Sequence, residues 1–309
     1  MKKLEKEYKG VIVPMITPFN KDLSIDQEAV KRIINAFIEA DVSPFILGTT
    51  GESASVSEDQ MKVFVSMVIG YVKKQVKVYV GISSNCLQAT IDNAKMCAEM
   101  GADAVVAHPP CYYPLTSNGI LRYFEELADN IPCPLIIYNN PMTTNHSIPL
   151  EIIDKLSYQS NIVGLKDSER DIERLNRSIE LWSERNDFVH LVGWAAQSFY
   201  ALQKGSDGIV PSIGNLVPNF YKELYNAIMK GELVKAEELQ LKTDKISEIC
   251  YNGKNLSQSI ASLKSIMSVY NLCQPYVMPP LYNLDYEEEN RIKVLIKQEL
   301  DDHLIVVHE

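Results

Sequence analysis

Short apolar runs recur along this chain at nearly constant spacing, and that rhythm constrains its fold more tightly than any other feature. The runs are GVIVPMITPF (10–19), PFILG (44–48), KVYVGI (77–82), AVVAHPP (104–110), PLIIYN (134–139), IVGLKD (162–167), FVHLVGW (188–194) and DGIVPSI (207–213). Each has the length of a buried strand. Successive starts lie about 28 residues apart, close to one right-handed strand–helix–strand unit. The segments between carry helical spacing, as in Met61, Phe64, Val65, Val68 and Val72, or Ile172, Leu175, Ile179 and Trp182. Ser57 with Gln60 reads as a capping box, and the glycines of EMGAD and QKGSD fall just past two helix ends. Eight such units predict an α/β fold, a closed (β/α)8 TIM barrel. An open doubly wound sheet is the runner-up, but no G-x-G-x-x-G turn follows the first run. Residues 1–231 are assigned to the barrel carrying the active site. Residues 232–309 are assigned to a C-terminal helical extension packed on it, with helices near 233–250, 256–271 and 287–300.

The composition narrows the function. At 309 residues, 46% of them hydrophobic, the chain can bury a large core. A net charge of -10 without a run of lysine or arginine argues against nucleic acid and anionic membranes as partners. The six cysteines form no C-x-x-C pair, as expected of reduced thiols in the cytoplasm. The start, MKKLEKEYKG, is basic, but Pro14, Thr17 and Pro18 break the stretch after it, so no secretory signal is expected. No run approaches the roughly 20 apolar residues that span a bilayer. His108, His146, His190, His303 and His308 show no metal-ligand spacing, so neither a metal nor a central imidazole is expected. Small-molecule chemistry remains open, and a cytoplasmic location is expected.

Barrel enzymes place reactive side chains at the carboxyl ends of strands. Lys166 ends the sixth run, on one face with Ile162 and Gly164, and Gly164 is expected to leave space beside the lysine stem. Tyr138 ends the fifth run next door. A lysine in an apolar pocket loses solvation of its ammonium, so its amine becomes free to attack a carbonyl, and a neighbouring phenol can shuttle the protons of imine chemistry. The plainer alternative is a snorkelling lysine beside a packed tyrosine. The second run closes with GTTGES (48–53), where the Thr49 and Thr50 hydroxyls and backbone N–H groups between two glycines suit a carboxylate. It is not a P-loop, since no Gly-Lys-Ser/Thr follows. PPCYYP puts Tyr112 and Tyr113 in a stiff loop fit for packing or subunit contact. SERDIER reads as the solvated first turn of a helix.

GTTGES, YNNP and GLKDS, in this order and at these spacings, resemble the dihydrodipicolinate synthase/N-acetylneuraminate lyase family of class I aldolases over about residues 8–300. The resemblance implies a TIM barrel with C-terminal helices, a lysine imine with a 2-oxo acid, usually pyruvate, and no cofactor. Carried over by position, Lys166 is the Schiff-base lysine and Tyr138 the proton relay. Thr49 and Thr50 hold the carboxylate, with a hydroxyl linking to Tyr138. Tyr112 matches a tyrosine that completes a neighbouring subunit's site, so a homo-oligomer, dimer or tetramer, is expected. Val210 and Ser212 line the pyruvate site. Two departures bear on the partner substrate. The synthases carry an arginine where this chain has Thr143, and sialic acid lyases carry Asp-Glu where it has Ala195 and Ala196. The leading expectation is therefore a pyruvate-dependent lyase of a 2-keto-3-deoxy sugar acid. The alternatives are a dehydratase on the same scaffold, dihydrodipicolinate synthase, N-acetylneuraminate lyase, and a non-catalytic 2-oxo acid binding protein.

Overall fold

The structure, a computed structural model, describes residues 6–300. The first five residues of the basic start, His303 and His308 lie outside the described residues. Eight parallel strands close into a barrel in chain order. They are β1 (Gly10–Pro14), β2 (Ser43–Ile46), β3 (Tyr79–Gly81), β4 (Ala104–Ala107), β5 (Leu135–Asn139), β6 (Ile162–Asp167), β7 (Val189–Val192) and β8 (Gly208–Ile209). Between them run α1 (Gln27–Glu39), α2 (Glu58–Val72), α3 (Leu87–Met100), α4 (Ser117–Asp129), the short α5 (Pro141–Thr144), α6 (Leu150–Leu156), α7 (Ile172–Leu181) and α8 (Ser198–Lys204). After β8 come α9 (Pro218–Lys230), α10 (Leu233–Tyr251), α11 (Leu256–Val269) and α12 (Tyr286–Glu299). The barrel and the C-terminal helices are those the sequence leads one to expect.

Local chemistry sets the element boundaries. Ser57 and Gln60 do form a reciprocal capping box at the start of α2, and Gly101 and Gly205 end α3 and α8 in the left-handed conformation, at φ 101° and 106°. The strands are shorter than the apolar runs. Prolines 14, 109, 110 and 211 lack the N–H that a ladder needs, and β1, β4 and β8 stop at or shortly before them. The runs continue past these points as buried loop residues such as Met15, Ile16 and Val210.

The chain divides into two compact units. One comprises residues 6–12 and 77–211 and holds the start of β1 with β3 to β8 and α3 to α8. Within it β3 pairs β4, β4 pairs β5, β5 pairs β6, β6 pairs β7, β7 pairs β8 and β8 pairs the start of β1. Gly10 faces Gly208 across the last of these ladders, where a Cβ on Gly208 would fall 2.9 Å from the Gly10 nitrogen. Gly164 differs from expectation. The space beside it is taken by Val189 of β7, whose carbonyl oxygen would lie 2.8 Å from an added Cβ, so the glycine serves close strand approach rather than room for a lysine stem. The other unit comprises residues 13–76 and 212–300 and holds β2, α1, α2 and α9 to α12. Its core includes Phe37, Phe45, Phe64, Leu224 and Ile266, all essentially inaccessible.

Candidate active site

The unit of β3 to β8 brings Lys166 and Tyr138 together. Tyr138 pairs with Lys166 in the parallel register of β5 and β6, and Asn139 pairs with Asp167 one residue on. The Lys166 Nζ stands 3.5 Å from the centroid of the Tyr138 ring. Lys166 is 5% exposed, and this burial holds its pKa below the usual lysine value, against the opposing pull of the Tyr138 charge and hydrogen bond. The plain reading of a lysine snorkelling to solvent does not describe this side chain. Its amine is enclosed, and a larger share of it is neutral at a given pH than for a surface lysine.

Asn140 and Thr143 form part of the surroundings of the phenol. The Asn140 Nδ2 donates to the Tyr138 oxygen at 3.0 Å and to the Thr143 Oγ1 at 2.8 Å. The second asparagine of YNNP thus orients the tyrosine, a role that sequence reasoning missed although the motif contains it. Thr143 also donates to the Asn140 carbonyl at 3.3 Å, within the single turn of α5. At the position where the synthases of the resembled family carry arginine, this chain has a neutral hydroxyl held against the backbone.

His108 is the second residue missed. It follows β4, and its ring meets that of Tyr138 edge to face with centroids 6.2 Å apart. Burial, helped by the nearby Lys166 charge, holds its pKa below the ordinary imidazole value. The signal was in the sequence: alternation from Ala104 through Val106 places His108 on one face of its strand, level with the residues at the ends of β5 and β6. A search for metal-ligand spacing overlooks such a residue.

Behind the lysine, on the opposite side of β6, Asp167 accepts from Asn139 Nδ2 at 2.8 Å, from the Glu169 N–H at 3.0 Å and from Arg174 Nε at 2.7 Å. Glu169 accepts from Asn139 Nδ2 at 2.9 Å and from Ser147 Oγ at 2.7 Å. The segment SERDIER is therefore only partly a solvated helix start. Asp171 caps α7 by accepting from the Glu173 and Arg174 N–H groups, while Glu169 and Arg174 turn inward and tie the ends of β5 and β6 together. Charge-assisted bonds of this kind fix the strand ends from which Tyr138 and Lys166 project.

Val210, just past β8, is buried, and its N–H donates to the Val192 carbonyl at 2.8 Å. Tyr112 is 76% exposed and stacks edge to face on Tyr113, with centroids 5.0 Å apart. Its N–H donates to Asn85 Oδ1 at 3.1 Å.

The other unit holds GTTGES and Ser212. The loop is wound tightly, with Leu47 at φ 55° and Glu52 at φ 57°. A Cβ on Gly51 would lie 3.0 Å from both the Leu47 nitrogen and the Met15 oxygen, so only glycine fits there without displacement of backbone. The Glu52 N–H donates to the Thr49 carbonyl at 3.1 Å, and Thr17 Oγ1 donates to the Gly51 carbonyl at 2.6 Å. Thr49 and Thr50 are half-buried. Glu52 turns away from them into the protein, where its carboxylate pairs with Lys264 of α11 and accepts from the Met278 N–H at 2.7 Å. Both charged groups are inaccessible. Burial raises the Glu52 pKa and lowers that of Lys264, each opposed by the partner's charge. Neither residue drew notice in the sequence, because 212 positions separate them. Ser212 opens a short 3-10 turn, and its Oγ accepts from the Tyr251 hydroxyl at 2.8 Å.

All six cysteines are free thiols. Among the described residues no group of three His, Cys, Asp or Glu converges in a way that could hold a metal ion. No helix among them is long and apolar enough to cross a membrane.

Comparison with known proteins gives a consistent result. Residues 7–299 match the dihydrodipicolinate synthetase family. An uncharacterized DapA-like lyase of Pyrococcus horikoshii is 34% identical over 90% of this chain and 96% of its own length. A 4-hydroxy-tetrahydrodipicolinate synthase of Methanothrix thermoacetophila is 30% identical over 75% of this chain and 78% of its own. Among solved structures, YagE, a prophage protein of the dihydrodipicolinic acid synthase family from E. coli K12 in complex with pyruvate, superposes with a TM-score of 0.89. The two are 26% identical, and the match covers 94% of this chain and 98% of that one.

Proposed function

The chain belongs to the dihydrodipicolinate synthetase family of Schiff-base-forming lyases, and we propose that it joins or cleaves carbon chains through an imine between pyruvate and Lys166. The observation that carries this reading is the buried Lys166 amine against the Tyr138 ring. The amine attacks C2 of the 2-oxo acid, and the carbinolamine so formed loses water. Tyr138, oriented by Asn140, takes and returns the protons. In the cleavage direction the protonated imine draws the electrons of the C3–C4 bond as it breaks. An aldehyde leaves, and the enamine is protonated and hydrolysed to pyruvate. Catalysis needs no metal or cofactor, since the imine itself is the electron sink.

The remaining assignments rest on the motifs. Thr49 and Thr50 hold the carboxylate of the 2-oxo acid, Val210 and Ser212 line its site, and Tyr112 reaches a neighbouring copy in a homo-oligomer. Residues 1–231 act as the catalytic barrel and 232–309 as its helical extension, in the cytoplasm.

Two partner substrates are in play. Several relatives are named 4-hydroxy-tetrahydrodipicolinate synthases, which supports aspartate semialdehyde. A specific observation favours an uncharged, hydroxylated aldehyde instead. Thr143, hydrogen-bonded to Asn140, offers a carboxylate no cation, while Ala195 and Ala196, standing where sialic acid lyases carry Asp-Glu, speak only against that one sugar substrate. A 2-keto-3-deoxy sugar acid is the substrate class this geometry supports, with dehydration of such an acid as the variant reaction of the same enamine.

Borohydride added with pyruvate tests the mechanism, because reduction turns the imine into a stable secondary amine. The expected product is a single adduct on Lys166 by peptide mass spectrometry. Pyruvate binding without an adduct, as a non-catalytic binding protein would show, refutes it.

A further inference from the structure

Imine chemistry accounts for Lys166 and Tyr138 but leaves His108 without a task. Val106 of β4 pairs with Ile136 of β5, which puts His108 level with Tyr138, and Tyr138 in turn pairs with Lys166. Three side chains able to donate or accept protons therefore stand on neighbouring strands at one level of the barrel. The position of His108 is fixed from both ends. Its backbone N–H donates to Ser83 Oγ at 2.8 Å, and its Nδ1 lies 2.8 Å from the Pro109 carbonyl oxygen. A carbonyl oxygen can only accept, so Nδ1 carries the ring proton. On the opposite edge of the neutral ring, Nε2 is then a bare acceptor, and it has no hydrogen-bond partner among the described residues. Burial and the Lys166 charge both disfavour a second ring proton. His108 is half-buried, and a valine or leucine would fill the same layer without a polar atom, so the ring keeps an acceptor that a donor arriving with substrate can use.

We propose that His108 is a specificity-determining residue whose Nε2 accepts a hydrogen bond from a hydroxyl of the aldehyde partner, selecting hydroxylated aldehydes over unsubstituted ones. This rests on the reading of Lys166 as the imine-forming lysine and names the chemistry of the group that joins or leaves it.

The test is condensation of pyruvate with D-glyceraldehyde and with propanal, using the full chain and the variants His108→Leu and His108→Gln. His108→Leu is expected to lower kcat/KM for glyceraldehyde by about tenfold or more and for propanal by less than roughly threefold. Borohydride trapping of pyruvate on Lys166 is expected to keep its extent, which shows that the variant is folded. His108→Gln, which retains an acceptor oxygen, is expected to recover part of the glyceraldehyde rate. Equal losses for the two aldehydes would reduce His108 to a packing residue and overturn the inference. So would trapping by the unmodified protein without turnover of either aldehyde, whereas absence of trapping would instead bring down the reading of Lys166.

Discussion

Replacing Lys264 by methionine leaves the Glu52 carboxylate buried without its counter-charge, directly after the threonine loop. Both groups are inaccessible in the folded chain, so water cannot take over the lost contact without rearrangement. Removing one partner of a buried pair costs about 3–5 kcal/mol. Unfolding entropy of about 2.1 cal/mol/K per residue gives roughly 0.65 kcal/mol/K for 309 residues. The expected fall in Tm is therefore about 5–8 °C by scanning calorimetry. The double variant Glu52→Gln/Lys264→Met removes both charges and keeps an acceptor for the Met278 N–H. It should recover most of the loss, because a neutral replacement of similar volume avoids the desolvation of either ion. A melting point for Lys264→Met within about 1 °C of the parent would refute the reasoning, since that small a change corresponds to well under 1 kcal/mol. A double variant no better than the single one would refute it equally, because the cost would then lie in packing rather than in the orphaned charge.

Three other outcomes follow from particular residues. Thr143→Arg should raise condensation of pyruvate with aspartate semialdehyde, which the unmodified protein is expected to catalyse at least about a hundredfold below a working synthase, roughly 2.7 kcal/mol of transition-state binding; efficient turnover by the unmodified chain would contradict this. Tyr112→Phe should lower the rate of imine formation only in an assembled species, as followed by sedimentation together with activity, and a fully active monomer would remove Tyr112 from the site. His190 lies buried between Ser178 and Ser206, and burial drives its pKa down to about 3. Below the unfolded value of about 6.5 the unfolded chain takes up a proton that the folded chain refuses, so stability should fall by up to ~1.4 kcal/mol per pH unit from about pH 6.5 towards pH 3. Chemical denaturation of His190→Asn across that range should show a shallower slope, and an unchanged slope would assign the acid sensitivity elsewhere.

The barrel was legible in the sequence because burying a parallel strand on both faces demands an unbroken apolar run, and eight evenly spaced runs leave few other closures. Lys166 and Tyr138 were legible for a related reason. A charge or a phenol at the end of such a run stands out against its apolar context, and strand alternation fixes the face it occupies. The helices after β8 announced themselves through spacing, and the capping box through Ser57 and Gln60.

What stayed hidden depended on which side chains neighbouring strands and distant segments bring together. The gap beside Gly164 looked like room for a lysine stem, yet it is filled by Val189, because the close approach of β6 and β7 is set by both strands at once. Alternation from Ala104 through Val106 gave the face of His108, but only the registers of β4 with β5 and β5 with β6 put it at the level of Tyr138 and Lys166. Glu52 and Lys264 carried no signal in the sequence; a buried ion pair depends on the free energy of two partners held in contact away from water, which neither local sequence encodes. Thus the sequence by itself determined the strand rhythm and the placing of Lys166 and Tyr138 at neighbouring strand ends, since periodicity and local polarity are properties of short segments. The tertiary structure alone decided how Tyr138 is oriented, which imidazole stands beside it and what anchors the threonine loop, since these are contacts between residues whose separation in the chain carries no information about their distance in space.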